Sequence, residues 1–379
     1  MKIALIRKDY LRTRGGGERY AVNLSRGLAQ LGHEVHIFAN RWDCHPHPEI
    51  RIHKVPTLTL FSSLKNLSFA YFCQKLIKAE QFDIVHSLSQ TFPQDVYRMG
   101  DGIHRHWLCL QTPNRVFRFL KTLTPRQQVI LFLEKKIFHP ANFKMIICNS
   151  YLVKHQAMVY FKIPEEKLRV IYNGVDHSEF NPAVKDKFNQ LVRKRWNIPE
   201  DAQVILFVAR NFKRKGLTYL LRSLPLIPQK NRIILVVGKG NPAHFQQLAF
   251  QLGWGRRIIF VGETDNIAPY YGAADLLVLP TFYDPFSNVC LEALACGIPV
   301  VTTEQNGASE IIQPGETGII VSHPHHWKQI AEGINWFLVK KWKELNRKKI
   351  SESVAKFTIE GNTLKTLRVY EEVKRKTKS

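Results

Sequence analysis

AQVILFVARNFKRKGLTYLLRSLPLIPQKNRIILVVGKG, residues 202–240, contains two short apolar runs separated by an amphipathic segment. The runs at 202–210 and 232–240 predict buried β-strands, and the segment between them predicts a helix. A strand, a helix and a second strand in this order predict a parallel strand pair joined by a crossover helix.

The same alternation runs through both halves of the chain. Strands are predicted at 2–6, 33–39, 83–89, 145–150 and 168–176 in the first half, and at 202–210, 232–240, 257–265, 276–280, 297–303 and 315–321 in the second. Two such series predict an α/β protein with two doubly wound parallel-sheet domains. We expect domains at 1–180 and 181–361, with a polar linker near 177–200 that contains Pro182. Ligands of such folds bind at the carboxyl ends of the strands, so the cleft between the domains is the expected site.

Composition excludes several classes of protein. The chain has 379 residues, of which 45% are hydrophobic and 23% charged, as in globular proteins. No apolar run reaches the roughly 18 residues that a membrane span needs, and the N-terminal stretch lacks the apolar core of a signal peptide. The six cysteines form no CxxC pair and no metal-type spacing with histidine. We therefore expect a cytoplasmic location and no zinc site.

The net charge of +24 predicts an anionic partner. Nucleic acid, an acidic membrane surface and phosphorylated substrates are the candidates. The alternative is that dispersed Lys and Arg residues only keep the protein soluble.

A glycine motif at 238–243, GKGNPA, follows a predicted strand and precedes a predicted helix. With Glu263 about twenty residues further on, it comes close to a nicotinamide-dinucleotide fingerprint. Two features argue against NAD. The fingerprint normally follows the first strand of its domain, whereas here the strand at 202–210 precedes the motif, and Pro242 is unusual inside the fingerprint. Gly238 therefore predicts binding of a phosphate-bearing ligand more strongly than of NAD.

The stretch 283–301, YDPFSNVCLEALACGIPVV, predicts a helix start followed by a buried strand. Pro285 is suited to a first helical turn, which places Asp284 at or near the N-cap. There Asp284 is expected to contact the donor sugar and to serve as a catalytic residue. Glu292 follows eight residues later on a similar side of the helix, where a carboxylate can accept hydrogen bonds from a ribose. The backbone N–H groups that would receive a diphosphate belong to Phe286, Ser287, Asn288 and Val289. The alternative is that Asp284 only caps the helix and Glu292 is a solvated helix residue.

Further phosphate contacts are expected from a basic pair and from a glycine run. Arg214 and Lys215 follow the strand at 202–210 directly and are expected to bind the diphosphate and neutralise the leaving group. The alternative is an exposed basic run. If Arg214 and Lys215 neutralise the leaving group, no metal ion is needed for this, and the sequence has no DxD-type metal site. The three consecutive glycines, which either approach the ligand or form a simple tight turn, are Gly15, Gly16 and Gly17.

Asp101 and His104, which follow a further predicted strand of the first domain, are candidates for acceptor chemistry. Asp101 can orient or deprotonate an acceptor hydroxyl, and His104 can do the same or bind the sugar. A structural role is the alternative for each.

Residues 105–136 combine basic and aromatic side chains and have one acidic residue, Glu134. This pattern is typical of segments that dock on an anionic bilayer, although the aromatic residues can also belong to a helical core. The residues expected to contact the membrane are Trp107, Arg115, Arg118 and Lys121. Nucleic-acid binding is not expected, because no known nucleic-acid module is present.

Several of these segments together resemble family 4 retaining glycosyltransferases. Asp284-Pro-Phe-Ser-x-x-x-Leu-Glu292 resembles the E-x7-E motif of that family, with Asp in place of the first Glu and Ser287 in place of Gly. RGGGERYAVNLSRGLAQLGHEV (14–35), VIYNGVD (170–176) and FVARNFKRKGL (207–217) resemble its glycine loop, interdomain strand and phosphate-binding segment. The resemblance implies the GT-B fold, with two facing Rossmann-like domains and a C-terminal helix, about 362–379, that crosses back to the first.

Within the family, MGDGIHRHWL (99–108) and the segment around Arg214 look most like lipopolysaccharide-core glucosyltransferases. The resemblance implies a retaining, metal-independent hexosyltransferase without a cofactor. It would move a hexose, with glucose expected, from a UDP-sugar to a lipid-linked glycan, the heptose region of the lipopolysaccharide core, at the inner face of the cytoplasmic membrane. The alternatives are a relative that acts on capsule or exopolysaccharide, and a non-catalytic protein that binds membrane surfaces.

Overall fold

The structure is a computed structural model that describes residues 1–11, 15–43, 48–58, 62–228, 231–340 and 346–378. Its internal contacts divide the chain into two compact units. Unit 1 consists of Met1–Gly174 together with the chain from Ile359 onward, and unit 2 consists of Val175–Thr358.

Unit 1 is built on a parallel sheet of seven strands in the described part of the chain, in the order β5-β3-β1-β6-β7-β8-β9. Its strands, including the small pair β2-β4, are β1 (Lys2–Ile6), β2 (Asp9–Tyr10), β3 (Glu34–Ala39), β4 (Arg41–Trp42), β5 (Ile50–Lys54), β6 (Ile84–Ser87), β7 (Val96–Met99), β8 (Met145–Cys148) and β9 (Leu168–Val170). Its first six helices are α1 (Gly16–Gln30), α2 (Ser62–Lys78), α3 (His104–Gln111), α4 (Arg115–Thr122), α5 (Pro125–Ile137) and α6 (Tyr151–Phe161). The strand order reverses at β1, which pairs with both β3 and β6.

Unit 2 repeats this architecture with six described strands in the order β12-β11-β10-β13-β14-β15, again all parallel. They are β10 (Gln203–Ala209), β11 (Arg232–Gly238), β12 (Ile258–Gly262), β13 (Leu276–Leu279), β14 (Val300–Thr303) and β15 (Gly318–Val321). The helices are α7 (Val184–Arg195), α8 (Leu217–Ser223), α9 (Ala243–Gln251), α10 (Ala268–Ala273), α11 (Asn288–Ala295), α12 (Trp327–Asn335) and α13 (Arg347–Glu352). The strand order reverses here at β10, between β11 and β13.

The last helix, α14 (Ile359–Lys378), belongs to unit 1. Its buried face joins the core that α1 and the sheet share, through Val369, Tyr370 and Val373. The hydroxyl of Tyr370 lies 2.6 Å from Nδ1 of His86, and burial lowers the pKa of that histidine to about 3. The neutral imidazole therefore fixes the helix against β6 through a buried hydrogen bond.

The boundaries of the two units differ by a few residues from the domain boundaries predicted from the sequence. Residues 175–180, drawn in the first domain, lie in unit 2, and residues 359–361 lie in unit 1. The predicted linker at 177–200 is wrong, because it contains α7, which packs within unit 2. Buried Arg193 anchors this helix by donating hydrogen bonds to the carbonyl oxygens of Pro199 (2.6 Å) and Ala202 (3.0 Å).

Candidate active site

The strand order of unit 2 reverses between β10 and β13, and the loops after these two strands lie against each other. The N–H of Phe282 donates to the carbonyl oxygen of Arg214 at 3.0 Å. Gly216 has a φ of +83°, and a Cβ at this position would lie 1.9 Å from the carbonyl oxygen of Pro280. Only glycine allows this approach, which places Arg214 and Lys215 at the switch point of the sheet.

An ion pair joins the two loops. The ammonium group of Lys215 contacts Oδ2 of Asp284, and both side chains are only 12% exposed. The backbone of Asp284 is held as well, because its N–H donates to the carbonyl oxygen of Gln305 and its own carbonyl accepts from the N–H of Gly307, both at 2.9 Å. The structure therefore brings Asp284 and Lys215, predicted for sugar and diphosphate, into direct contact.

Helix α11 begins later than the sequence predicts. Its N-cap is Ser287 and its first residue is Asn288, so the expected N-cap role of Asp284 is wrong. Phe286 and Ser287 are buried before the helix, while Asn288 and Val289 are half-buried in its first turn. Pro285 therefore belongs to the loop that carries Asp284.

Asn306 organises this helix start and was missed in the sequence. Its Oδ1 accepts the N–H groups of Ser287 (3.2 Å) and Ala308 (3.1 Å). Its amide nitrogen donates to Oγ1 of Thr302 at 2.9 Å. The N–H of Ser287, predicted as a donor for phosphate, is therefore already engaged. The Asn-Gly pair at 306–307, directly after a predicted strand, was the available signal.

Glu292, which the sequence places among apolar residues of the helix, has a polar partner in the structure. Its Oε2 accepts a hydrogen bond of 2.9 Å from the hydroxyl of Tyr271 on α10. Burial, together with the adjacent Glu292, holds the pKa of Tyr271 well above its ordinary value, so the phenol keeps its proton and donates. Tyr271 thus orients one carboxylate oxygen, a role that sequence reasoning did not assign.

Gly238 and Glu263, the residues of the nicotinamide alternative, lie at the other side of β10. Gly238 ends β11 in register with Ala209. Glu263 accepts a hydrogen bond from Nη2 of Arg210 at 2.7 Å and lies 3.6 Å from the ammonium group of Lys239. Its carboxylate is thus engaged by two basic side chains.

Unit 1 has a cavity of about 260 Å³ where its own strand order reverses. The lining comes from the segments after β1, β6 and β7 and from α1 and α2, and consists of Arg7, Lys8, Asp9, Glu18, Asn66, Phe69, Ser89, Gln90 and Asp101. Arg7 donates to the carbonyl oxygen of Leu88 at 2.6 Å and to Oε1 of Glu18 at 3.0 Å. The cavity is therefore lined mainly by charged and polar groups.

The glycine run lies beside this arginine. Gly15 is the N-cap of α1, and Gly16 and Gly17 form its first turn. A Cβ on Gly17 would lie 2.7 Å from Nη2 of Arg7. Within unit 1, the absence of a side chain at Gly17 makes room for the guanidinium group.

Asp101 and His104 lie in different surroundings. Asp101 lines the cavity, is 78% exposed and lies 3.8 Å from Nη1 of Arg7. His104 begins α3, and its Nε2 lies 2.5 Å from Oε1 of Gln127 on α5. Burial lowers the pKa of His104. The structure thus brings Asp101, but not the ring of His104, to the residues that line the cavity.

Glu134 holds the start of α3. Its carboxylate accepts the backbone N–H groups of His104 at 2.6 Å and Arg105 at 3.3 Å. Burial raises its pKa to about 7, even though these hydrogen bonds act in the opposite direction. The one acid of the basic segment is therefore a structural cap of a neighbouring helix.

The segment predicted to dock on a membrane carries an exposed apolar surface. We call it the α4 surface, and it consists of Val116, Phe117, Phe119, Leu120 and Leu123. Phe117 and Phe119 are 65% and 63% exposed, and none of the residues of α4 is buried. The alternative that these aromatic residues form a helical core is therefore wrong for α4.

The predicted basic contacts surround this surface unevenly. Arg115 is exposed, whereas Arg118 and Lys121 are half-buried and donate to the Thr112 carbonyl (3.4 Å) and to Gln111 (2.8 Å). Trp107 is half-buried in α3. Across the described ranges, no helix combines the length and apolar character that spanning a bilayer requires.

Two family matches cover most of the chain. Residues 14–179 match Glycosyltransferase Family 4, and residues 188–357 match Glycosyl transferases group 1. An uncharacterized glycosyltransferase of Methanocaldococcus jannaschii is 29% identical over 355 residues, covering 88% of each chain. The lipopolysaccharide glucosyltransferase WaaG of Escherichia coli is 23% identical over 323 residues, covering 84% of each.

Solved structures agree on the fold. The crystal structure of WaaG superposes with a TM-score of 0.82 at 22% identity, covering 97% of this chain and 99% of that one. Anabaena HepE in complex with UDP and glucose gives a TM-score of 0.73 at 19% identity, covering 98% and 99%. The chain is therefore a family 4 glycosyltransferase of the GT-B fold, and it resembles WaaG.

Proposed function

We propose that the chain is a retaining, metal-independent hexosyltransferase that moves glucose from UDP-glucose to a membrane glycolipid, the heptose region of the lipopolysaccharide core. The observation that carries the donor half of the proposal is the contact between Lys215 and Asp284 at the switch point of unit 2. It sets a cation and an acid side by side at the position where doubly wound folds bind ligands.

The proposed chemistry assigns each group of this site a task. Transfer breaks the bond between the anomeric carbon and the diphosphate oxygen of UDP, and forms a bond from that carbon to an acceptor hydroxyl oxygen. Negative charge grows on the departing diphosphate, and Arg214 and Lys215 neutralise it. Asp284 binds sugar hydroxyls. Glu292, oriented by Tyr271, accepts hydrogen bonds from the ribose hydroxyls.

The choice of donor is supported by one relative and one structural neighbour. WaaG is named a lipopolysaccharide glucosyltransferase, and HepE has been crystallised with UDP and glucose. Asp284 and Ser287 are the positions at which this chain departs from the family motif, so the sugar is the part of the donor most in need of measurement.

The acceptor side of the proposal rests on unit 1. Its polar cavity holds the exposed carboxylate of Asp101, which in the proposal orients the acceptor hydroxyl and takes its proton. His104, tied to Gln127, supports the same loop from α3 rather than binding the sugar directly.

We further propose that the α4 surface docks on the anionic inner face of the cytoplasmic membrane. A lipid-linked acceptor requires the enzyme to reach the bilayer, and exposed phenylalanines beside basic residues are suited to an anionic lipid surface. The net charge of +24 adds attraction to such a surface.

Thermal shift in EDTA tests the donor. UDP and, more strongly, UDP-glucose are expected to raise Tm, because a ligand that binds only the native state stabilises it. Glu292→Gln is expected to reduce both shifts, whereas Asp265→Asn, at an exposed acid of the same unit, leaves them unchanged. A shift with GDP alone would overturn the glucose donor, and no shift with any nucleotide would favour a non-catalytic surface-binding protein.

Transfer to purified acceptors tests the other half. Radiolabelled glucose should pass to a core glycolipid that ends in heptose, with the anomeric configuration of the donor retained. Transfer only to a capsule or exopolysaccharide precursor would replace the acceptor and keep the enzyme class.

Vesicle flotation tests membrane docking. It compares Phe117→Ser/Phe119→Ser with Phe250→Ser in unit 2, which is the matched exposed control.

A further inference from the structure

Three potential metal ligands lie together on one face of the unit 1 sheet, among residues that do not line its cavity. They are His36 on β3, His53 on β5 and Glu80 just after α2, and their ligand atoms all lie within 4.8 Å of one another. Neither the family motifs nor the proposed transfer reaction uses them.

Strand register brings the two histidines together. In the parallel pair β3-β5, His53 lies opposite Phe38, which is two residues beyond His36. Because side chains two apart on a strand share a face, both histidines project to the same side of the sheet. The ring of His53 also stacks on Phe38, with centroids 4.6 Å apart. Pairing and stacking together hold His53 beside His36.

The carboxylate of Glu34 determines which ring nitrogen of His36 is available to bind a metal ion. Nε2 of His36 lies 2.9 Å from Oε1 of Glu34, so the neutral ring carries its proton on Nε2 and donates it to Glu34. The lone pair is then on Nδ1, which faces His53 and Glu80. A histidine whose second nitrogen is held by a carboxylate is the usual arrangement of metal ligands in proteins.

The separations of the ligand atoms are close to those of a zinc site. Nδ1 of His36 lies 2.8 Å from Nε2 of His53 and 3.7 Å from Oε2 of Glu80. Bonds of about 2.0–2.1 Å at tetrahedral angles place ligand atoms about 3.3 Å apart. The two separations from His36 differ from this value by about half an ångström, and all three ligand atoms lie within 4.8 Å of one another.

Glu80 is positioned for single-oxygen ligation. Its Oε1 is 2.6 Å from the ammonium group of Lys2, which leaves Oε2 directed at His36. His36 is 1% exposed, whereas the Glu80 side chain is 33% exposed. An ion can therefore enter from the Glu80 side, and a water molecule can complete its coordination there.

We propose that His36, His53 and Glu80 bind one divalent transition-metal ion of the zinc class, with water as the fourth ligand and Glu34 as the outer partner of His36. The ion cross-links β3, β5 and the segment after α2, and therefore stabilises this edge of unit 1. This site is separate from the sugar transfer, for which no metal is proposed.

The test is a titration of the full chain, stripped of metal, with Zn²⁺ against a chromophoric chelator and with Co²⁺ by visible absorption. One ion per chain and the intense absorption bands of tetrahedral cobalt are expected. His53→Gln and Glu80→Gln should each weaken binding about 100-fold or more, and Glu34→Gln about 10-fold. His325→Gln, in the separate histidine stretch at 323–326, should leave binding unchanged.

Further outcomes decide the proposal. No stoichiometric uptake by the unaltered chain, or uptake that persists in both His53→Gln and Glu80→Gln, would overturn it, as would loss of uptake in His325→Gln. Circular dichroism of the metal-free variants shows whether they fold. If His53→Gln does not fold, the cobalt spectrum of the unaltered chain still tests the proposal. Zinc should also raise Tm by about 5–10 °C at a hundredfold excess over Kd, with or without UDP-glucose.

Discussion

The two units place their candidate sites at the same point of the same fold and build them in opposite ways. In unit 2, the loops at the switch point are joined by backbone hydrogen bonds and by an ion pair whose partners are each 12% exposed. In unit 1, the corresponding strand ends surround a cavity, and Asp101 is 78% exposed at its edge.

This difference shows that topology supplies the position of a site while local sequence decides its rigidity. The braced loops of unit 2 hold charged groups in place before any ligand arrives, as electrostatic stabilisation of a leaving group requires. The open cavity of unit 1 leaves its acid free to meet ligands of different shapes. In the proposed function, the first suits a constant nucleotide and the second suits a variable acceptor.

Removing the ammonium group of Lys215, which pairs with Asp284, should have the largest effect on activity. Lys215→Met is expected to lower kcat about 100- to 1,000-fold, because the diphosphate loses a charge that stabilises it as it departs. UDP release from UDP-glucose in the presence of acceptor measures this. Lys213→Met, an exposed lysine of the same loop, serves as the matched control and should stay near the unaltered rate. Equal losses in both variants would mean that the loop acts only through its overall charge.

The close approach of the unit 2 loops can be tested with two glycines. Gly216→Ala should destabilise the chain by about 2–3 kcal/mol, since it adds left-handed strain and places Cβ against the Pro280 carbonyl. Gly253→Ala has a similar φ of +76° but open space around it, so about 1 kcal/mol is expected. Urea unfolding followed by tryptophan fluorescence compares them. Equal losses would show that the contact with Pro280 contributes nothing.

A pH titration examines how the helix beside the open site is held. Burial raises the pKa of Glu134 to about 7 from an ordinary 4.5, so the folded chain keeps a proton that the unfolded chain loses between these values. The stability from this carboxyl is therefore complete below pH 4.5 and is lost as the pH rises through 7. We expect the free energy of unfolding, relative to Glu134→Gln, to fall by about 2–3 kcal/mol between these pH values. A constant difference would show that the carboxyl is ionised throughout.

Asp101 should matter least to stability. Asp101→Asn is expected to change the free energy of unfolding by no more than about 0.5 kcal/mol, because the side chain is exposed and its ion pair with Arg7 is long. Its effect should appear in transfer to acceptor, while UDP-glucose affinity stays the same. A large loss of stability would show that this acid braces unit 1 in the way that Asp284 braces unit 2.

Much of the fold was predictable because buried parallel strands are nearly continuous apolar runs. Two strands whose bounds were not predicted break this rule for physical reasons. β5 is an edge strand with alternating basic residues, IRIHK, and β7 contains the buried Arg98 within VYRM. Helix α7 was taken for a linker because only Val184, Val192 and Arg193 of its twelve residues are buried.

The candidate site was predictable residue by residue but not in its connections. Arg214, Lys215, Asp284 and Glu292 stand out as charges beside strand ends or among apolar neighbours. Their partners do not, since Tyr271 and Asn306 are distant in sequence and look like ordinary helix and turn residues. The same reason hid His36, His53 and Glu80, whose spacing matches no metal motif and whose proximity depends on strand register.

The return of α14 to unit 1 makes unit 2 an insertion within another domain. The two points at which the chain enters and leaves unit 2 are neighbours, because Val175 and Thr358 form a β-bridge and the N–H of Val175 donates to the carbonyl of Phe357 at 2.9 Å. During synthesis, the unit that is begun first is therefore completed last. A fragment ending at Gly174 would lack Tyr370 and leave His86 without its hydrogen-bond partner, whereas 175–358 is a continuous segment with adjoining ends.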